Sequence, residues 1–249
     1  MFEDAIKKYL STHGAHRIEL RSAMFDMDGV LFDSMKNHAW SWHEAMKHYG
    51  YELSEEEVYT HEGRTGAGTI NSISMRYRGH EATEDEIKEI YGYKSKLFNS
   101  RQPIQPMEGA LSLLKQVKAS GVSPLIVTGS GQRTLLEKVN SAYPGIFNPD
   151  LMVTAFDVKV GKPNPEPYLM GLEKAHVNAS QSIVVENAPL GVRAGVAAGV
   201  FTIAVNTGPL PDKVLLDAGA DLLFHSMQEL SDSWAELYES FKNYWLFIN

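Results

Sequence analysis

Two textures divide the chain. A short apolar run, Leu20-Arg21-Ser22-Ala23-Met24-Phe25-Asp26, reads as a buried strand that ends in an acid. Beyond Pro103 and Pro106 similar runs recur: Pro124-Leu125-Ile126-Val127, Leu151-Met152-Val153, Ser182-Ile183-Val184-Val185, Phe201-Thr202-Ile203-Ala204-Val205 and Asp221-Leu222-Leu223-Phe224. Helical spacing between them predicts helices over 109–120, 133–140, 166–175 and 190–198. Unbroken apolar strands separated by helices predict an α/β fold, a doubly wound parallel sheet covered on both faces.

The intervening stretch is different. Residues 33–49 read as a helix containing Trp40 and Trp42, and from there to Pro103 the chain is rich in Glu, Lys and Tyr, helical around 84–98 and almost without strand-like runs. The organisation predicted is a discontinuous core, residues 1–34 and 104–249, interrupted by a helical cap over 35–103. Residues 1–18 read as an amphipathic helical extension on the core, with Phe2, Ile6 and Leu10 at four-residue spacing.

Composition narrows the chemistry. Of 249 residues 43% are hydrophobic and 22% charged, ordinary globular values. There is no cysteine, which excludes disulfides, thiolate nucleophiles and cysteine-bound metals. The net charge of −8 offers no basic footprint, so no nucleic acid partner is expected, and an anionic substrate would need local cations or amides. No apolar run approaches the ~20 residues that span a bilayer, and the charged start lacks a signal-peptide core; no membrane association is expected, and a cytoplasmic monomer is.

In open α/β sheets ligands bind beyond the carboxyl ends of the strands. There the sequence places Asp26-Met27-Asp28-Gly29, then Thr128-Gly129-Ser130-Gly131, then Gly161-Lys162-Pro163, then Glu186-Asn187-Ala188-Pro189. Each alone has a plain reading: a turn, a helix cap, a solvated lysine, a helix start. Asp26-Met27-Asp28-Gly29 is not a calcium loop, since no Glu stands at the twelfth position. Lys162 is not in a Walker A loop, because Pro163 replaces the Ser or Thr, and 63–68 is no dinucleotide fingerprint, because no strand precedes it. Two carboxylates, a hydroxyl with amides, a lysine and an acid beside an amide on one edge are a different matter.

In their order these motifs resemble the haloacid dehalogenase superfamily, in the subgroup similar to β-phosphoglucomutase. The resemblance runs from about Leu20 onward. It implies a Mg²⁺-dependent phosphotransfer in which Asp26 forms an aspartyl-phosphate and Asp28 is the general acid and base. It implies Mg²⁺ on Asp26, the Asp28 carbonyl and Asn187, with Glu186 as a further ligand, and Thr128, Gly129, Ser130 and Lys162 around the transferring phosphoryl group.

The cap bears on the substrate. Where β-phosphoglucomutases carry Lys-Gly-x-x-Arg, this chain has Glu62-Gly63-Arg64-Thr65-Gly66, so both cations for a distal sugar phosphate are gone. His38 stands where mutases carry a cap-proximal His. Asn187 replaces an Asp common in the superfamily. The pairing of His61-Glu62-Gly63-Arg64-Thr65-Gly66 with Glu186-Asn187-Ala188-Pro189 is similar to an inorganic pyrophosphatase branch. That implies Glu62 reaching the metal from the closed cap, with His38, Arg64 or Lys94 toward the leaving phosphate. A β-phosphoglucomutase or sugar-phosphate phosphatase, and a non-catalytic binding protein, are the alternatives. Plainer readings also stand: Glu62 as a surface acid, Arg64 in a structural ion pair, Trp40 and Trp42 as cap core, His43 and His48 on a helix surface.

Overall fold

The computed structural model describes residues 2–245. Five strands, β1 (Ser22–Phe25), β2 (Ser123–Ile126), β3 (Ser182–Glu186), β4 (Phe201–Val205) and β5 (Leu222–Phe224), form one parallel sheet in the order β2-β1-β3-β4-β5. The strand ends that lead into Asp26, Thr128 and Glu186 therefore lie on one edge.

Alternation along the strands explains the layers. Phe25, Ile126, Ile183, Val185, Phe201 and Ile203 face a cluster shared with α1 (Phe2–His13), α6 (Ala110–Ala119), α7 (Arg133–Ala142) and α11 (Met227–Asn243). Their neighbours Met24, Leu125, Val127 and Val184 point the other way, onto Tyr168 and Leu172 of α8 (Glu166–Lys174) and Ala194 of α9 (Pro189–Ala197). Burial on both faces is why these strands read as continuous apolar runs. The remaining core helix, α10 (Asp212–Asp217), sends Leu215 against Val192 and Ala204.

The lobe inserted after β1 consists of α2 (Met35–His48), α3 (Glu55–His61), α4 (Gly66–Arg78) and α5 (Glu84–Ser100). It has its own hydrophobic cluster, in which Trp42, Met46, Val58, Ile70, Ile73 and Ile90 meet. Trp42 is buried, whereas Trp40 is half-buried beneath the Arg101 guanidinium, 4.8 Å from its ring centre. The two crossings run side by side: Asp33 N donates to Gln105 O (3.0 Å) and Met107 N to Leu31 O (2.8 Å).

Three local expectations are corrected. The strand expected at 151–153 is instead a 3-10 turn, Pro149–Leu151, followed by a single bridge of Val153 to Val127. Pro149 has no N–H to give a ladder, and Asn148 caps the turn by accepting from Asp150 N at 3.1 Å. The N-terminal helix ends at His13, with Gly14 in the left-handed region, rather than running to 18. His43 is half-buried and bonded to Leu53 O through Nδ1 (2.7 Å), which ties α2 to the loop before α3. The helix α11 was not anticipated, although Met227, Leu230, Trp234, Leu237 and Phe241 keep helical spacing and Ser226 caps its start. Among the described residues no helix is long and apolar enough to cross a membrane.

The N-terminal helix packs as part of the core: Ile6 and Leu10 are fully buried, and Tyr9 Oη donates to Gly199 O (2.8 Å). Leu10→Ala is therefore expected to lower unfolding free energy by about 2–4 kcal/mol in a urea titration, as a cavity in a sheet-backed core does. A loss under about 0.5 kcal/mol would mean the helix is an accessory.

Candidate active site

Pairing carries the chain just past the end of β1, with Asp26 N donating to Val185 O (3.0 Å), so the Asp26 side chain is fixed at the sheet edge. The turn that follows needs Gly29: its φ is +80°, and a Cβ there would lie 2.1 Å from Asn187 Nδ2. The Gly29 backbone in the loop after β1 thus lies directly against the Asn187 side chain in the loop after β3.

Lys162 reaches the same point from the loop before α8. Its ammonium is completely buried and donates to Asp26 Oδ1 (2.5 Å), Glu186 Oε1 (2.6 Å) and Val127 O (3.0 Å). Glu186 is engaged at both oxygens. Tyr168 Oη donates to Oε1 (2.8 Å), and the amides of Asn187 (3.0 Å) and Ala188 (3.1 Å) donate to Oε2. Burial opposes the Lys162 charge, but Asp26 and Glu186 hold its pKa above the ordinary value. Burial raises Asp26 to about 7 despite Lys162, with Glu186 and Asp28 adding to the rise. One cation shared by two buried carboxylates leaves Asp26 short of compensating positive charge.

A second chain of polar groups runs from core to cap. Asp28 Oδ1 accepts from Ser34 Oγ (2.5 Å) and lies 2.9 Å from His38 Nε2, while His38 Nδ1 lies 2.8 Å from Lys94 Nζ. A carboxylate can only accept and an ammonium only donate, so the neutral imidazole between them carries its proton on Nε2. Burial opposes ionisation of Asp28, but His38, Ser34 and Lys94 bring it down to about 2. His38 is lowered by burial and then by the Lys94 charge. Lys94, buried with its ammonium 4.8 Å from the Phe98 ring centre and 5.3 Å from that of Trp42, is lowered by burial to about 7.

The cap loop closes over both. Thr65 caps α4 by accepting from Gly68 N (3.1 Å), which fixes the 62–65 connection to α3. From that connection Glu62 extends to the core, where its Oε1 accepts from Asn187 Nδ2 (3.0 Å). Burial, and then Asp26, push the Glu62 carboxyl well above its usual range. Beside it the Gly63 carbonyl lies against Gly129 so closely that a Cβ on Gly129 would come within 2.3 Å of it. Asp26, Asp28, His38, Glu62, Arg64, Lys94, Thr128, Gly129 and Ser130 all line one cavity between the helical lobe and the sheet edge.

The expected residues thus converge. Asp26, Asp28, Thr128, Gly129, Ser130, Lys162, Glu186 and Asn187 meet at one sheet edge, and His38, Glu62 and Arg64 descend onto them. Glu186 faces Lys162 and Tyr168 rather than standing with a free oxygen. Tyr168, Ser34 and His61 were not foreseen as site residues. Nothing local in the sequence marks Tyr168, whereas His61 lies inside the cap motif and lines the cavity. Half-buried, it is lowered by burial and then by the neighbouring Arg64 charge.

Asn187 Oδ1 is buried without a hydrogen-bond partner. An orphaned amide oxygen beside the under-compensated Asp26 and a cap carboxylate is an oxygen donor set suited to a hard divalent cation. Among the described residues no three His, Cys, Asp or Glu side chains gather as a metal cluster. A cation here would draw on the amide oxygen as well as carboxylates.

Residues 23–205 match the model of the haloacid dehalogenase-like hydrolases. The chain belongs to this family. A solved structure described as a putative beta-phosphoglucomutase from Bacteroides vulgatus superimposes with a TM-score of 0.94 at 58% identity, covering 97% of this chain and 98% of that one. Hexitol phosphatase A of Escherichia coli is 29% identical over 208 residues, 84% of this chain and 92% of its own. A protein described as putative pyrophosphatase PpaX, from Caldanaerobacter subterraneus, is 25% identical over 214 residues, 86% and 94% of the two chains. The family is that of a phosphatase-type hydrolase with a parallel α/β core.

Lys94 gives this site a pH signature. Its folded pKa of about 7 lies below the ordinary 10.5, so between these values the folded state binds fewer protons than the unfolded chain. Stability contributed at Lys94 must then rise with pH. The stability difference, wild type minus Lys94→Met in urea, is expected to grow by roughly 2 kcal/mol from pH 7 to pH 9. A flat difference would contradict a lysine neutralised by burial.

Proposed function

We propose that this protein is a Mg²⁺-dependent phosphohydrolase acting through an aspartyl-phosphate, and that its substrate is inorganic pyrophosphate. The observation that carries the reading is the contact of Glu62 with Asn187 beneath the closed cap. It brings a second carboxylate, beside Asp26, to the donor set and fills the place where a sugar would need a cation. Gly66 points the same way. It stands where mutases carry the cap arginine, and even a Cβ there would lie 2.4 Å from the Tyr91 ring.

In this mechanism Asp26, Asn187, Glu62 and the Asp28 carbonyl would hold Mg²⁺, which would screen the carboxylate from the phosphoryl oxygens so that the two anions could approach. Asp26 Oδ attacks phosphorus as the bond to the leaving oxygen breaks, and the leaving phosphate takes a proton from Asp28. Asp28 is ionised at rest, so that proton reaches it from His38 Nε2, replaced at Nδ1 by one from Lys94. Water then gives a proton back to Asp28 while its oxygen attacks the aspartyl-phosphate, restoring the Asp26 carboxylate. Lys162 holds charge against the transferring oxygens, and Glu186 and Tyr168 fix Lys162 rather than binding the metal.

A second reading, a β-phosphoglucomutase or a sugar-phosphate phosphatase, is favoured by the description of the Bacteroides vulgatus structure and by the hexitol phosphatase relative. Phosphate release with Mg²⁺ separates the two. Pyrophosphate is expected to exceed β-glucose 1-phosphate and the hexose 6-phosphates by at least about tenfold in kcat/KM, and Asp26→Asn to abolish all turnover. Sugar phosphates turned over as well as pyrophosphate would establish the second reading.

A further inference from the structure

Tyr91, on the cap helix α5, sends its polar end into the core. Its ring stays in the cap, 6.0 Å from the Trp42 ring centre and so close to Gly66 that a Cβ there would come 2.4 Å from it. Its hydroxyl crosses the seam to the loop after β2. A Cβ on Gly131 would lie 3.1 Å from Tyr91 Oη, and the Gly131 amide is directed at that oxygen as a donor. Among the described residues no cap group hydrogen-bonds the hydroxyl, so a phenylalanine would serve the cap equally well. The hydroxyl answers to the core.

Eight residues on, about 12 Å along the helix at ~1.5 Å per residue, α5 meets the same core segment again. Asn99 Oδ1 accepts from Gln132 Nε2 (3.0 Å) and from Thr134 Oγ1 (2.9 Å), next to the hinge crossing. Gln132 gives something up for this contact. It stands at the start of α7 yet caps none of that helix's amides, and its Oε1 is buried without a partner. A side chain that leaves a helix start uncapped and an oxygen unpaired carries a local cost, which docking of α5 offsets. One cap helix thus holds 131–134 at two points.

The held segment continues the loop that, under the proposed function, presents Thr128 and Gly129 to the transferring phosphoryl group. Most of its amides are already in use. Ser130 N donates to Thr128 Oγ1 (3.0 Å), which leaves the Thr128 proton free to be donated, and Gln132 N donates to Ser130 Oγ (3.3 Å). With the Tyr91 hydroxyl over Gly131, the Gly129 amide is the one in 129–132 left without an acceptor among the described residues. Without that hydroxyl a second amide would be unpaired, and the loop would have two competing ways to face an anion.

We propose that Tyr91 is a positioning residue: its hydroxyl takes up the Gly131 amide and sets the 128–132 loop so that Thr128 Oγ1 and Gly129 N serve one oxyanion together. Asn99 anchors the hinge end of the same helix. The role rests on the phosphotransfer reading, whichever substrate is preferred.

Tungstate, a phosphate-shaped oxyanion, is the probe. It is titrated by calorimetry, in excess Mg²⁺, into the full chain as wild type, Tyr91→Phe and Gly131→Ala, and peptide-level hydrogen exchange is read on the same proteins without tungstate. Gly131 lies outside the left-handed region, so Gly131→Ala crowds the hydroxyl from the core side while leaving the cap sequence intact. Tyr91→Phe is expected to weaken tungstate binding about three- to tenfold, the scale of one net hydrogen bond, and to speed exchange in 128–132 on the same scale. Peptides of the cap cluster around Trp42 and Ile90 should keep wild-type exchange, which a merely structural tyrosine would not allow. Gly131→Ala should shift binding and loop exchange in the same direction. Wild-type tungstate affinity and loop exchange in Tyr91→Phe, or faster exchange confined to the cap cluster, would overturn the positioning role. A wild type that binds no tungstate with Mg²⁺ would sink the phosphotransfer reading instead, and the exchange comparison would still decide whether Tyr91 holds the loop.

Discussion

Buried negative charge governs this molecule. Asp26 and Glu186 share the single Lys162 ammonium, Asp28 is matched through His38 by Lys94, and Glu62 is brought down onto Asn187 with no cation of its own. Desolvated carboxylates lower their cost only by protonation or by nearby positive charge, and both the Asp26 and the Glu62 carboxyls are pushed upward. Under the proposed function a divalent cation and a phosphate would be stabilised together there, the first satisfying the acids and the second satisfying the donors. An acidic protein can bind an anionic substrate on these terms, because the local arrangement rather than the net charge does the attracting.

The fold supplies the rigidity this requires. Asp26, Thr128 and Glu186 stand at or just past the ends of three adjacent parallel strands, β1, β2 and β3, and backbone pairing fixes the spacing of their ends. Gly29 and Gly129 serve at the two places where backbone must meet backbone or side chain with nothing between: loop against loop on the core, and cap against core. The cap supplies the rest from helices with their own hydrophobic cluster, so Glu62, His61 and Arg64 are presented to the core edge from one packed lobe. Chemistry is split between a fixed edge and a lobe joined to it by two side-by-side crossings.

Much of this was legible in the chain. Apolar runs ending in Asp26, in Thr128 and in Glu186 gave away the sheet and its reactive edge, because strands buried on both faces leave polar residues only at their ends. The 151–153 segment misled because three apolar residues satisfy a strand pattern, while the Leu151 and Met152 amides are spent within the turn on the Asn148 and Pro149 carbonyls. Within the helical stretch, α3 and α4 were not placed individually: α3 has only seven residues, and Gly63, Gly66 and Gly68 blur the boundary between the two. Tyr168 was invisible for a different reason: its role depends on meeting Glu186, 18 residues away in sequence, across a helix and strand. The unpartnered Arg64 Nε and His61 Nδ1 likewise exist only as a consequence of packing, although the motif containing them was plain.

The central claim is that the cap carboxylate belongs to the cation site, so that substrate choice and cap closure are one event. Its most direct test is the affinity of the substrate-free protein for Mn²⁺ as a stand-in for Mg²⁺, read from the electron paramagnetic resonance of the free ion, in wild type and Glu62→Gln. The substitution keeps the side chain's shape and a carbonyl to accept from Asn187 Nδ2 while removing its charge. The dissociation constant should rise by about tenfold or more, the scale on which one charged oxygen ligand contributes. An affinity unchanged by Glu62→Gln would contradict the account, leaving Glu62 as a latch on Asn187 and nothing more.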